Sequence, residues 1–233
     1  MRKMLYFCDM DRKTKGWQVS AVSLAAIVLL VGIFFLGIGK PWNGRELDII
    51  HKSDSVMYVT VLPQDSAVLR TPSRNLSRKA LKSKDLQMLL EKMLRTVQDP
   101  SQDGVGIAAP QVGINRRVIW VQRMDKPGEP FECYANVQLD SLFGNITHGP
   151  EGCLSVPPKR GYVPRYSGVI VSYINPLTGE SCREKVEGYT AIIFQHECDH
   201  LDGRLYIDRA DTVFTDSTWA AERAAFSYKK PID

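Results

Sequence analysis

An α+β domain with a mostly antiparallel sheet is the fold class this sequence predicts, and three observations carry it. Residues 84–98 place Leu86, Leu89, Leu90, Met93 and Val97 on one helical face, and Asp99-Pro100 closes that helix. Residues 117–122 (RVIWVQ) and 168–174 (GVIVSYI) read as strands, the second followed by a turn at 175–179. A second helix is expected from about Glu187 to Leu201, with Gly203 available at its C-terminal end. The resulting order is strand, helix, several strands, helix, with no internal repeat.

Composition narrows the class further. At 233 residues, 44% hydrophobic and 24% charged, the chain fits one main globular domain. The net charge of +4 is uneven: residues 1–16 carry +3, residues 17–39 carry none and residues 40–233 carry +1. A near-neutral body argues against nucleic acid as the main partner. Five cysteines, odd in number and irregularly spaced, make no disulfide framework, so free thiols or metal ligands are expected. Cys133, Cys182 and Cys198 read as small buried hydrophobes.

Residues 17–39 form a run of 23 without Asp, Glu, Lys or Arg. As a helix the run would span roughly 34 Å, against a hydrocarbon core of about 30 Å. It is long for a signal peptide and ends in Gly-Lys-Pro, so an uncleaved anchor is expected. The domain plan is a basic flank at 1–16, a membrane span at 17–39 and a linker at 40–54. A catalytic body at 55–208 and a C-terminal extension at 209–233 complete it. More bases precede the span than closely follow it, which favours a cytoplasmic N-terminus and a body on the far side. The alternative is a soluble domain, with this segment an upstream extension of a start near Met57.

The strongest chemical signal is His196-Glu197-Cys198-Asp199-His200. Two histidines four residues apart share a helix face, so both imidazoles reach one metal ion. Glu197 sits one step round, placed to contact an activated water as general base. His51 and His148 have no such frame and read as solvated loop residues. A hydrolytic site needs a third protein ligand. A third histidine shortly downstream is missing, because Tyr206 stands where it should fall. Glu222 would serve in the arrangement of a membrane-anchored zinc peptidase. Cys153, in Glu151-Gly152-Cys153-Leu154-Ser155, is the better candidate, since a thiolate is the strongest ligand this chain offers. The stretch 104–111 (GVGIAAPQ) lacks the preceding strand of a dinucleotide fingerprint. Its small residues, Gly106 among them, instead let backbone approach the metal and a substrate chain closely, and Gln111 can aim its amide at a developing oxyanion.

Together GVGIAAPQ, EGCLS and HECDH resemble, in order and spacing, the three signature motifs of the peptide deformylases, over roughly residues 55–208. The resemblance implies antiparallel sheets packed around a central metal-binding helix. It implies a monomeric metallohydrolase that removes the formyl group from N-formylmethionyl peptides or nascent chains. Cys153, His196 and His200 would bind the metal, usually Fe²⁺ with Zn²⁺ or Ni²⁺ able to substitute. Glu197 would be the acid and base, while Gln111 and the backbone N–H of Leu154 would polarise the formyl oxygen. Arg160 matches a substrate contact, and Arg165 reads as a structural partner of a carboxylate. An apolar methionine pocket is assigned to Val105, Tyr189, Ile192 and Ile193. The resemblance implies a cytoplasmic enzyme, whereas the charge balance around 17–39 favours the far side of a bilayer. A formyl-peptide-binding protein without catalysis is the remaining alternative, and the presence of Glu197 and Gln111 speaks against it.

Overall fold

The computed structural model describes residues 41–102 and 104–217. The membrane span expected at 17–39 and the candidate ligand Glu222 lie outside these residues, as does most of the extension expected at 209–233. Among the described residues no helix is long and apolar enough to cross a membrane.

Four helices come first: α1 (Gly44–His51), α2 (Ser66–Leu69), α3 (Arg78–Leu81) and α4 (Lys84–Val97). The sheet strands are β1 (Gly106–Ala108), β2 (Val118–Gln122), β3 (Phe131–Gly152), β4 (Lys159–Ile174), β5 (Ser181–Glu187) and β6 (Thr212–Thr215). Helix α5 (Tyr189–Leu201) lies between β5 and β6 in the chain. The sheet runs β1-β2-β3-β4-β5 with β6 added to β4, and every pairing between these strands is antiparallel.

Helix α4 follows its sequence closely. Ser83 caps it by accepting from the Leu86 N–H, and Leu86, Leu89, Leu90, Met93 and Val97 are buried. Burying each such side chain is worth roughly 1.5–3 kcal/mol relative to exposure. They pack on Ile107, Val118, Trp120 and Ala135. The alternate residues of β2, Ile119 and Val121, face the other way and join Phe194, Cys198 and Leu201 of α5. The VIWV centre of this strand, residues 118–121, is apolar throughout because helices cover both of its faces. Helix α5 buries ten of its thirteen residues, polar ones included, and is the central helix of the fold.

Several expectations need correction. Among the described residues no strand precedes α4; residues 52–61 run as irregular chain tied to the body by the Thr60 N–H donating to the Gln111 carbonyl. The stretch read as linker contains α1, started by a capping box between Asn43 and Glu46 and holding Ile50 in the core. GVIVSYI is only the end of the 16-residue β4. Thr212–Thr215, read as part of an extension, is an edge strand on β4. His148 lies in β3 beside Asp211 and His51 ends α1 beside Asp85; both are solvated, but neither is in a loop. Cys133 and Cys198 are buried, and burial pushes the Cys133 thiol up to about 12, whereas Cys182 is only half-buried.

Candidate active site

Three elements meet at the site. The 153–156 turn after β3 brings Cys153, the C-terminal half of α5 brings His196, Glu197 and His200, and β1 with the short 3-10 helix Ala109–Val112 brings Gly106 and Gln111. Donor atoms of Cys153, His196 and His200 all lie within 4.8 Å of one another, and Cys153 Sγ is 3.2 Å from His200 Nε2. Four ligands set tetrahedrally at about 2.0–2.3 Å from an ion stand roughly 3.3–3.8 Å apart, close to the Cys153–His200 separation.

Protonation suits the same task. Burial lowers the His200 pKa well below its ordinary value, with the charges of His196 and Arg165 adding to it, which leaves a neutral imidazole with a free lone pair. Burial also opposes a charge on His196, but hydrogen bonds to Cys153 and Glu151 outweigh it and raise the pKa. A site that draws a proton onto His196 in this way equally favours a cation between these groups. His200 Nδ1 and Glu197 Oε2 are buried and have no hydrogen-bond partner among the described residues. Burial raises the Glu197 carboxyl to about 7, against the opposing charge of His196.

Glycine is required at 106. A Cβ there would lie 2.5 Å from Glu197 Oε1 and 2.9 Å from Ile193 Cγ2, so only a hydrogen fits between β1 and α5. Gln111 is fixed from behind, its Oε1 accepting from the Ala108 N–H at 2.9 Å. Its Nε2 faces Ser155 Oγ at 3.3 Å and Cys153 Sγ at 3.6 Å.

The sequence-predicted residues come together. Val105, Gly106, Gln111, Cys153, Leu154, Arg160, Tyr189, Ile192, Ile193, His196 and Glu197 line one open cavity of about 560 Å³, and His200 lies buried behind it. Tyr189 stands exposed at the rim and Ile193 is buried, so these two form the lip and the wall. Arg160 is also at the rim, where its Nε donates to Asp216 at 2.8 Å.

Three groups escaped the sequence reading. Glu151 Oε2 meets His196 Nδ1 at 2.8 Å, turning Nε2 toward the sulfur. Glu151 is itself held by Arg165 at 2.7 and 3.1 Å, and Arg165 also donates to Asp199 at 2.6 Å. Burial alone would raise the Glu151 pKa, but His196 and Arg165 hold it down at about 2. The ring of Tyr206 stacks on His196, centroids 6.1 Å apart and planes 17° apart. Glu151 stands two residues before the cysteine, and its acidity was the signal available; Tyr206 offered none. The carboxylate partner expected for Arg165 is therefore a pair, Glu151 and Asp199.

A carboxylate poised to exchange protons beside soft and borderline donors for one divalent ion defines a metal-dependent hydrolase on an α+β scaffold. The comparison with known proteins then narrows the class. A model of the polypeptide deformylase family matches residues 58–215, and the chain belongs to that family. The peptide deformylase of Leptospira biflexa is 36% identical over 156 residues, covering 64% of this chain and 86% of that protein. Peptide deformylase 2 of Bordetella bronchiseptica is 39% identical over 131 residues, 54% of this chain and 73% of its own. Among solved structures, the Met-Ala-Ser-bound class I type b peptide deformylase from Acinetobacter baumannii shares 36% identity at a TM-score of 0.60. It covers 66% of this chain and 98% of that one. The peptide deformylase from Thermotoga maritima follows at 34% and 0.59, covering 67% and 99%. The chain is thus a hydrolase that removes the N-formyl group and releases formate.

Proposed function

We propose that Cys153, His196 and His200 hold one divalent ion, Fe²⁺ by preference with Zn²⁺ or Ni²⁺ able to replace it, and that Glu197 moves the protons. The observation carrying this reading is the convergence of the three donors within 4.8 Å beside a buried, partly unpaired carboxylate. A divalent ion bound there supplies Lewis acidity, polarising the formyl oxygen and acidifying the attacking water.

The chain's own residues do the rest. Glu197, with a pKa of about 7, is basic enough to take a proton from water and acidic enough to pass it to the leaving amine. The Gln111 amide, locked by Ala108, and the Leu154 N–H meet the developing oxyanion; one such donor is typically worth about 3–4 kcal/mol. Val105, Ile192 and Ile193 receive the methionine side chain under the lip made by Tyr189, and Gly106 lets substrate backbone lie close. Arg160 touches the peptide further along. The substrates are N-formylmethionyl peptides or nascent chains, and the body, from residue 41 to the edge strand β6, works as a monomer. Residues 17–39, uncharged and long enough to span, tether it to a bilayer.

The test is formate release from formyl-Met-Ala-Ser by the full chain loaded anaerobically with Fe²⁺. Glu197→Ala should lower kcat by at least about 10²-fold and leave the metal bound. Cys153→Ala should lose both metal and activity. Retained turnover in Glu197→Ala would remove the proton-transfer role.

A further inference from the structure

The near-neutral charge of the body conceals a segregation that the linear count does not show. From residue 41 onward bases and acids are equal in number, yet residues 70–84 contain Arg70, Arg74, Arg78, Lys79, Lys82 and Lys84 and no Asp or Glu. The rest of the body is therefore net negative. Arg70 is paired with Asp208, and the charge of Arg74 acts on Glu46. Arg78, Lys82 and Lys84 are exposed and make no ion pair among the described residues. Like charges gathered on α3 and the first residue of α4 repel one another, and an anionic surface relieves that repulsion.

Two positions say which surface. Trp42, two residues beyond Lys40 in the sequence, donates from Nε1 to Ser83 Oγ at 2.9 Å, which holds it at the residue between Lys82 and Lys84. The uncharged run 17–39 ends just upstream of that point in the sequence. The basic cluster also marks the N-terminal end of α4, whereas Pro100, Ser101, Gln102 and Gly104, beyond its C-terminal end, line the cavity. Fourteen helical residues separate the two by about 20 Å.

We infer that Arg78, Lys79, Lys82 and Lys84 form a docking face for the anionic phospholipid headgroups of a bilayer. This face holds the body with the cavity at the end remote from the lipid and open to peptide. The inference extends the bilayer reading of residues 17–39, and its test separates the two. Basic residues next to an inserted segment attract anionic headgroups strongly enough that each removed charge should weaken the contact by roughly fivefold at low salt.

The full chain is mixed with vesicles of phosphatidylcholine alone or with added phosphatidylglycerol, and lysines are acetylated and quantified by mass spectrometry. Lys82 and Lys84 should be protected on the anionic vesicles only and regain labelling in high salt, while Lys185 on β5 labels equally throughout. A triple variant, Arg78→Gln with Lys82→Gln and Lys84→Gln, should lose salt-sensitive retention on anionic vesicles and keep formate release. Salt-resistant retention on neutral vesicles reports the apolar run independently. Equal labelling of Lys82 and Lys84 on both compositions overturns the docking face whatever the chain's retention. Protection by a mixed-sequence RNA and not by vesicles overturns it in favour of nucleic acid.

Discussion

Two buried arginines organise this molecule, and only one of them serves the site. Arg165 is closed in with carboxylates that are themselves buried, Glu151 and Asp199, at 9% and 8% side-chain exposure. Arg123 is equally buried, but its partners Asp125, Glu132 and Glu184 are about a quarter to a third exposed. Around Arg123 the carboxylates can fall back on water, so the network pins β2, β3 and β5 together with Tyr134 and does little else. Around Arg165 both carboxylates are nearly closed off from solvent, and Glu151 also meets His196 Nδ1 at 2.8 Å. Burial of the anion turns a structural ion pair into a device that aims the ring of His196, the ligand proposed above.

The largest effect that would break this comparison is expected at Arg165→Met. It leaves buried Glu151 without its guanidinium and Asp199 with Arg209 alone, which should cost about 3–5 kcal/mol in denaturant unfolding and abolish metal loading. An unfolding midpoint close to wild type would show that Glu151 and Asp199 are not dependent on Arg165. Next comes Glu151→Gln, which keeps shape but removes the anion behind His196. Metal titration should show affinity lower by roughly 10–100-fold with smaller loss of stability. Arg123→Met should cost less than Arg165→Met, about 1–3 kcal/mol, with metal affinity and formate release per folded molecule unchanged. If it weakens metal binding as Glu151→Gln does, the two networks are not separate.

The smallest effect is a pH slope. Asp125, held by the Arg123 guanidinium, has its carboxyl lowered to about 2 in the folded protein. A depressed carboxylate adds stability that is present above its unfolded value, about 3.9, and is lost as pH falls through the folded value. Asp125→Asn should therefore flatten the loss of stability between about pH 4 and pH 2 and leave neutral-pH activity unaltered. A slope identical to wild type in thermal unfolding would show that the pairing with Arg123 has no energetic weight.

How much of this was legible depended on how local the signal was. Helix α4 declared itself by five apolar residues in one frame, and α5 by histidines four apart. Strand β3 did not. Its burial loses alternation after residue 138, because that half pairs with β4 while most of its side chains face water, and no periodicity survives. Helix α1 was hidden because its eight residues are too few for a convincing pattern; Trp42 and Ile50 earn their burial from α4, not from the helix itself. The basic cluster was hidden for a third reason, since a total near zero does not reveal where the charges lie.

By itself the sequence determined the chemical inventory and its short-range geometry. Helical period puts His196 and His200 on one face with Glu197 beside them, and no tertiary contact is needed for that. Only the tertiary structure decided that Cys153, 47 residues from His200, arrives at 3.2 Å, that Glu151 stands behind His196, and that Arg165 holds Glu151. Those distances follow from the β3–β4 register and the packing of α5 on the sheet, which join residues that no local period links.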